Sequence, residues 1–213
     1  RSTEEAFQRV FNRYHDIAKA LQIDALIMPI IEADLRRRLT YSKEDQTLFI
    51  DYMKAADEDC HEKLITAYFN HIGIPARYTC PKEAGLYVTE RPRRVQAIPE
   101  GYAQLKELGQ SNDVIVFPGF FGFTKSGTLR TFNRGGSDIT GSIIAAAIDA
   151  ELYENFTDVD AVFTANPTVI DKPMAIKQMT YREMRELAYA GFSVFHDEAL
   201  MPAFRRSVPV CIK

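Results

Sequence analysis

Asp113-Val-Ile-Val-Phe-Pro-Gly-Phe-Phe-Gly122 is the stretch on which the fold turns. Residues 113–117 form a short apolar run bounded by polar Asn112 and by Pro118, the pattern of a buried central strand. Pro118-Gly-Phe-Phe-Gly122 follows at once. Glycines directly after such a strand let the backbone approach a ligand at the carboxyl end of a sheet, although a plain strand-to-loop turn reads the same way. Outward from this point strands and helices alternate. Ala76 to Cys80, Gly85 to Thr89 and Leu152 to Phe156 read as strands, and Val208 to Lys213 is strand-like. Pro99 to Leu108, Asp138 to Asp149 and Tyr181 to Ala190 read as helices, with a short one at Pro202 to Arg206. Such alternation predicts an α/β sandwich with a mostly parallel sheet. Upstream of Gly73 the period is helical: Phe7, Val10, Phe11, Tyr14, Ile17, Ala18 and Leu21 share one face of a helix over Thr3 to Gln22. Pro29 to Leu39 reads as a second helix. A third runs from Ser42 through Ala67 and stops near Gly73.

The chain has 213 residues, 46% of them hydrophobic and 26% charged, enough apolar material for one domain over 1–213. A net charge of −3 argues against a nucleic-acid partner. The longest apolar stretches, Ala25 to Ile31 and Ile143 to Ile148, are far too short to span a membrane. Three cysteines without a CxxC point to a reducing cytoplasm rather than a disulfide framework. The four histidines lack metal-ligand spacing, and adjacent Cys60 and His61 face different sides of a helix, so no metal site is expected. Arg1 runs straight into a helical pattern and Lys213 closes an apolar segment, so both ends read as continuing into a longer protein.

Asn133-Arg-Gly-Gly-Ser-Asp138 carries the strongest chemical signal. Two glycines bare backbone amides where a helix begins, and such an end attracts phosphate or carboxylate. Ser137 is the expected cap of that helix. Arg134 adds a planar donor for an anion, and Asp138 a carboxylate able to orient a cation. An ordinary capped turn is the alternative. The pattern is neither a Walker loop nor GxGxxG. A further signal, Phe156-Thr-Asp-Val-Asp-Ala-Val-Phe-Thr-Ala-Asn-Pro167, ends a strand in Thr157-Asp158, where a nucleotide would sit; a solvated hairpin is the competing reading.

Taken together, GFFG, NRGGSD, TDVDAVFTANP and Met184-Arg-Glu-Leu-Ala-Tyr-Ala-Gly191 resemble aspartate kinase, of the amino acid kinase superfamily, in order and in spacing. The resemblance implies a three-layer αβα sandwich around a mainly parallel sheet. It implies transfer of the γ-phosphoryl group of ATP to the side-chain carboxylate of L-aspartate, with Mg²⁺ held mainly through the ATP phosphates. It further implies a homo-oligomeric full-length protein. By the same resemblance, Arg134 grips the aspartate carboxylate, Gly135, Gly136 and Ser137 lie beside the substrate, and Asp138 organises the reacting groups. Glu58, in Ala56-Asp-Glu-Asp-Cys-His61, falls on the substrate side, with Glu62 as the competitor and Asp57 in place of the usual glycine. Thr157, Asp158 and Phe163 fall on the nucleotide side. Thr168, Asn166, Ser193 and His196-Asp197 depart from the family pattern. The family's first strand and Lys-Phe-Gly-Gly loop have no counterpart in the chain, so the chain by itself is expected to be inactive. Regulatory ACT domains are expected beyond it. Glutamate 5-kinase, acetylglutamate kinase and a non-catalytic binding relative stay open as alternatives.

Overall fold

The computed structural model describes residues 3–90, 95–133, 135–156, 163–164, 170–189 and 199–213. Three helices open the chain: α1 (Thr3–Ala20), α2 (Asp24–Leu39) and α3 (Gln46–His71). A strand-rich part follows, with β1 (Ala76–Tyr78), α4 (Tyr102–Lys106), β2 (Val114–Val116), β3 (Phe121–Phe123) and β4 (Leu129–Thr131). Then come α5 (Gly136–Ala147), β5 (Tyr153–Asn155), α6 (Tyr181–Tyr189), α7 (Met201–Arg205) and β6 (Val210–Ile212).

Local chemistry sets the helix boundaries. The side chain of Asp45 accepts from the amides of Thr47 and Leu48 at 2.9 and 3.1 Å, so α3 begins at Gln46 and not at Ser42. The second helix also departs from expectation. It starts at Asp24 and takes Pro29 into its second turn, despite the hydrogen bond a proline forfeits there. Burial offsets that loss: Ile27, Met28, Ile31 and Leu35 lie on the covered face and pack with Phe7, Tyr14 and Ala18 of α1 and with Ala56, Cys60 and Leu64 of α3.

The described strands form three pairs. β1 and β2 are parallel, with Ala76 opposite Val114; β5 and β6 are parallel, with Tyr153 opposite Val210; β3 and β4 form an antiparallel hairpin. Helix α3 packs against β1, β2 and β4, whereas α5 packs against β3 and β5. The strands thus lie between helical layers. Two expected strands are reduced. Gly85 to Thr89 makes only isolated bridges, Tyr87 to Phe123 and Val88 to Ala97. β2 has a single strand partner among the described residues, which leaves Val114 45% exposed where burial on both faces was expected.

A polar cluster holds the helical layer to β1. Arg38 of α2 donates to Asp34 at 2.7 Å, to Asp59 of α3 at 2.5 Å and to the Tyr52 carbonyl at 2.8 Å. Lys63 reaches Asp59 at 2.8 Å, and the Tyr78 hydroxyl of β1 donates to Asp59 as well. Arg38, Asp34 and Asp59 are all buried. Burial opposes the Asp34 carboxylate, but hydrogen bonding to Arg38 wins and holds its pKa below the usual value. Removing Arg38 takes the shared cation from two buried carboxylates, leaving Asp34 with Arg37 and Asp59 with Lys63 and Tyr78. Arg38→Ala is therefore expected to destabilise the fold by ~3–5 kcal/mol, read from the midpoint of a urea titration.

Candidate active site at the start of helix α5

Helix α5 begins without a side-chain cap. Its N-cap residue is Gly135, at φ +73° and ψ +24°, a left-handed conformation that disfavours any side chain. This corrects the expectation for Ser137: it lies inside the first turn and does not cap the helix. Freed from that task, its hydroxyl turns to Glu58 of α3 and donates to Oε1 at 3.5 Å. The two residues lie 79 apart in sequence, and only the packing of α3 and α5 on the strands between them brings them together.

The loop after β2 presses on the same turn. A side-chain carbon at Gly119 would stand 3.1 Å from Ser137 Cα, so that position admits only glycine without displacement. Phe120 beside it is held at φ +75°, costly for a residue with a side chain. Hydrogen bonds on both sides fix it there: its amide donates to Thr140 Oγ1 at 3.1 Å and its carbonyl accepts from Phe132 at 2.7 Å.

Asp138 is positioned from β5. Asn155 donates to its carboxylate at 2.8 Å and to the Tyr153 hydroxyl at 2.8 Å, and that hydroxyl donates to the Asp138 carbonyl at 3.3 Å. Asn155 is buried. Sequence reading passed over it; the only signal was an amide next to Glu154 inside the strand Leu152 to Phe156.

Of these groups, Phe120, Gly135, Ser137 and Asp138 border a cavity of about 600 Å³. Gly135, Gly136, Ser137 and Asp138 form one part of its wall; Asp51 and Lys54 of α3 and Arg130 of β4 belong to another. The cavity thus carries both signs of charge beside a helix N-terminus, an arrangement suited to a small zwitterion. Glu58 meets it through Ser137. Burial is the main cause of a raised Glu58 pKa; neighbouring Asp57 adds to it, while His61 and the Ser137 hydroxyl oppose it. Glu62 is raised as well, chiefly by burial. Asp57 itself accepts from the buried Tyr14 hydroxyl at 2.8 Å, which ties α1 to the helical turn carrying Glu58.

Of the other expected site residues, Arg134, Thr157 and Asp158 lie outside the described residues, as do Asn166, Thr168, Ser193, His196 and Asp197. Phe163 forms an isolated bridge with Ala175, away from the α5 cavity lining. Ala175 borders a second cavity of about 680 Å³, between the segment leading into α6 and the α7–β6 region. Among the described residues no group of three or more His, Cys, Asp or Glu is placed to hold a metal ion. No described helix is long and apolar enough to cross a membrane.

A raised Glu58 pKa means that the folded state holds the proton more readily than the unfolded chain. Ionised Glu58 therefore opposes folding, and stability falls as pH climbs from the ordinary value of 4.5 through the raised one. Glu58→Gln is expected to raise the melting temperature at pH 7, with the gain vanishing below about pH 4 in a pH series of thermal scans.

Comparison with known proteins agrees with this architecture. Residues 7–213 match the amino acid kinase family. Aspartokinase 3 of Bacillus subtilis (strain 168) is 51% identical over 212 residues, which is 100% of this chain and 47% of that protein. The crystal structure of Clostridium acetobutylicum aspartate kinase superposes with a TM-score of 0.75 at 30% identity, over 99% of this chain and 45% of that one. E. coli aspartokinase III, solved in complex with aspartate and ADP, reaches a TM-score of 0.84 at 23% identity, over 100% of this chain and 50% of its own, a likeness of fold. The chain spans about half the length of the curated relatives it matches. With its αβα layering and its glycine-led helix N-terminus, the chain belongs to the amino acid kinase family.

Proposed function

We propose that the full-length protein is an aspartate kinase, moving the γ-phosphoryl group of ATP onto the side-chain carboxylate of L-aspartate. The observation that carries this reading is the convergence of Glu58, Ser137 and Asp138 on the bare N-terminus of α5. The 51% identity to an aspartokinase over the whole chain supports it, as does the complex of a structural relative with aspartate and ADP.

The chemistry asks little covalent work of the protein. An ionised carboxylate oxygen attacks the γ-phosphorus, the bond to the bridging oxygen breaks, and ADP leaves with that electron pair. No proton has to be removed from the nucleophile. The difficulty is that both reactants are anions, so catalysis rests on positioning and on a positive field. The α5 amides and Arg134 supply that field for the acceptor. Glu58 pairs with the acceptor ammonium, and Ser137 adds a hydroxyl beside it. Asp138, held by Asn155, orients the cationic partners of the reacting groups. Thr157, Asp158 and Phe163 serve the nucleotide; the cavity bordered by the Phe163 partner Ala175 supports that side of the reading. Mg²⁺ bound together with ATP would neutralise charge on the transferred group. A cytoplasmic, homo-oligomeric enzyme completes the proposal.

Hydroxylamine trapping on the full-length protein tests it, with Mg-ATP and aspartate, glutamate or N-acetylglutamate in parallel. Hydroxamate is expected with aspartate alone. Asp138→Ala is expected to lower kcat by roughly 100-fold or more, because the reacting groups lose their alignment. A folded protein that binds ATP yet phosphorylates none of the three acceptors is a non-catalytic relative.

A further inference from the structure

Arg130 stands out among the charged residues of the α5 cavity. It projects from β4, and its side chain is 12% exposed. Two of its nitrogens, Nε and Nη1, are buried without a hydrogen-bond partner. The nearest carboxylate, Asp51, lies 3.7 Å from Nη1, within ion-pair range but too far for a hydrogen bond. Asp51 spends its other oxygen on the Thr131 hydroxyl at 2.7 Å. Arg38 shows the contrast: its three guanidinium nitrogens all donate, to two carboxylates and a carbonyl. Desolvated N–H groups without acceptors are costly, and in a native fold they call for a reason.

The cavity supplies one. Arg130 lines the same space as Gly135, Ser137 and Asp138, with Lys54 adding a second cation. Asp51 and Asp138 are in that lining too. Two acids close to two bases disfavour a polyphosphate and suit a zwitterion bearing its own ammonium. Only the 3.7 Å ion pair with Asp51, and no hydrogen bond to Nε or Nη1, opposes a turn of the guanidinium toward the opening.

We infer that Arg130 is a specificity-determining, carboxylate-binding residue of the acceptor pocket, where the carboxylate of a dicarboxylic amino acid that is not phosphorylated takes up its orphan N–H groups. The inference rests on the aspartate kinase reading above and adds to it a second cationic anchor besides Arg134. It predicts selection for acceptors with a free carboxylate at a fixed distance from the reacting one.

The test uses the full-length protein with Arg130→Gln and Arg130→Lys, measuring aspartate KM, ATP KM, kcat, calorimetric aspartate binding and melting temperature. Arg130→Gln is expected to raise the aspartate KM and dissociation constant roughly tenfold or more, from the loss of charge-assisted hydrogen bonds. The ATP KM is expected to stay unchanged and the melting temperature to shift by only a few degrees, since no internal hydrogen bond is lost and only the 3.7 Å ion pair with Asp51 goes. Arg130→Lys is expected to recover part of the affinity. An unchanged aspartate KM in both variants overturns the inference while leaving the kinase reading intact. So does a rise in ATP KM instead, which would place phosphate on Arg130, and so does a lower melting temperature with normal aspartate affinity, which would mark a structural side chain. Wild-type protein that neither binds nor phosphorylates aspartate overturns the kinase reading, and this inference with it.

Discussion

The buried charge of Asp59 ties the molecule together. One carboxylate in the middle of α3 receives Arg38 from α2, Lys63 from its own helix and the Tyr78 hydroxyl from β1. A carboxylate away from water persists only with such partners, so the placement of α2 and β1 about α3 is dictated as much by this charge as by apolar contact. Glu58 is the preceding residue. The helical turn that anchors the fold therefore also presents an acid toward the first turn of α5, and rigidity at Asp59 becomes geometry at Glu58.

The site shows a graded use of polar groups. Asp138 is held by Asn155, Asp57 by Tyr14, and the strained Phe120 by Thr140 and Phe132. Each of these contacts spends a hydrogen bond on orientation. Arg130 instead keeps two donors in reserve beside the cavity. In the proposed reading, such stored desolvation increases the gain on binding an anion, because no internal partner has to be displaced.

Much of this was legible in the chain. Helical period placed α1 to within a few residues, because one apolar face recurs along it, and α3 and α5 were located about as closely. The shift from helical to alternating pattern after Gly73 announced the α/β part. Arg-Gly-Gly-Ser-Asp marked the start of α5, and the motif order pointed to the amino acid kinase family. The failures share a cause. Pro29 reads as a helix start, yet α2 begins at Asp24 because burial against α1 and α3 outweighs one lost hydrogen bond. Ser137 reads as a cap, yet Gly135 in the left-handed region opens the helix and Glu58 claims the serine hydroxyl. Val114 reads as a buried strand residue, yet its strand has one described neighbour.

The sequence alone determined most of the helices and strands, where a glycine pair opens a helix, and which family the motifs resemble. These are local properties, set by side-chain period, by glycine and by spacing along the chain. Only the tertiary structure decided that Glu58 meets Ser137, that Asn155 holds Asp138, and that Arg130 is buried beside Asp51 with donors to spare. Those pairs join residues on different elements. Their partners are set by how α3, β4, α5 and β5 pack, and no pattern within any one segment encodes that distance.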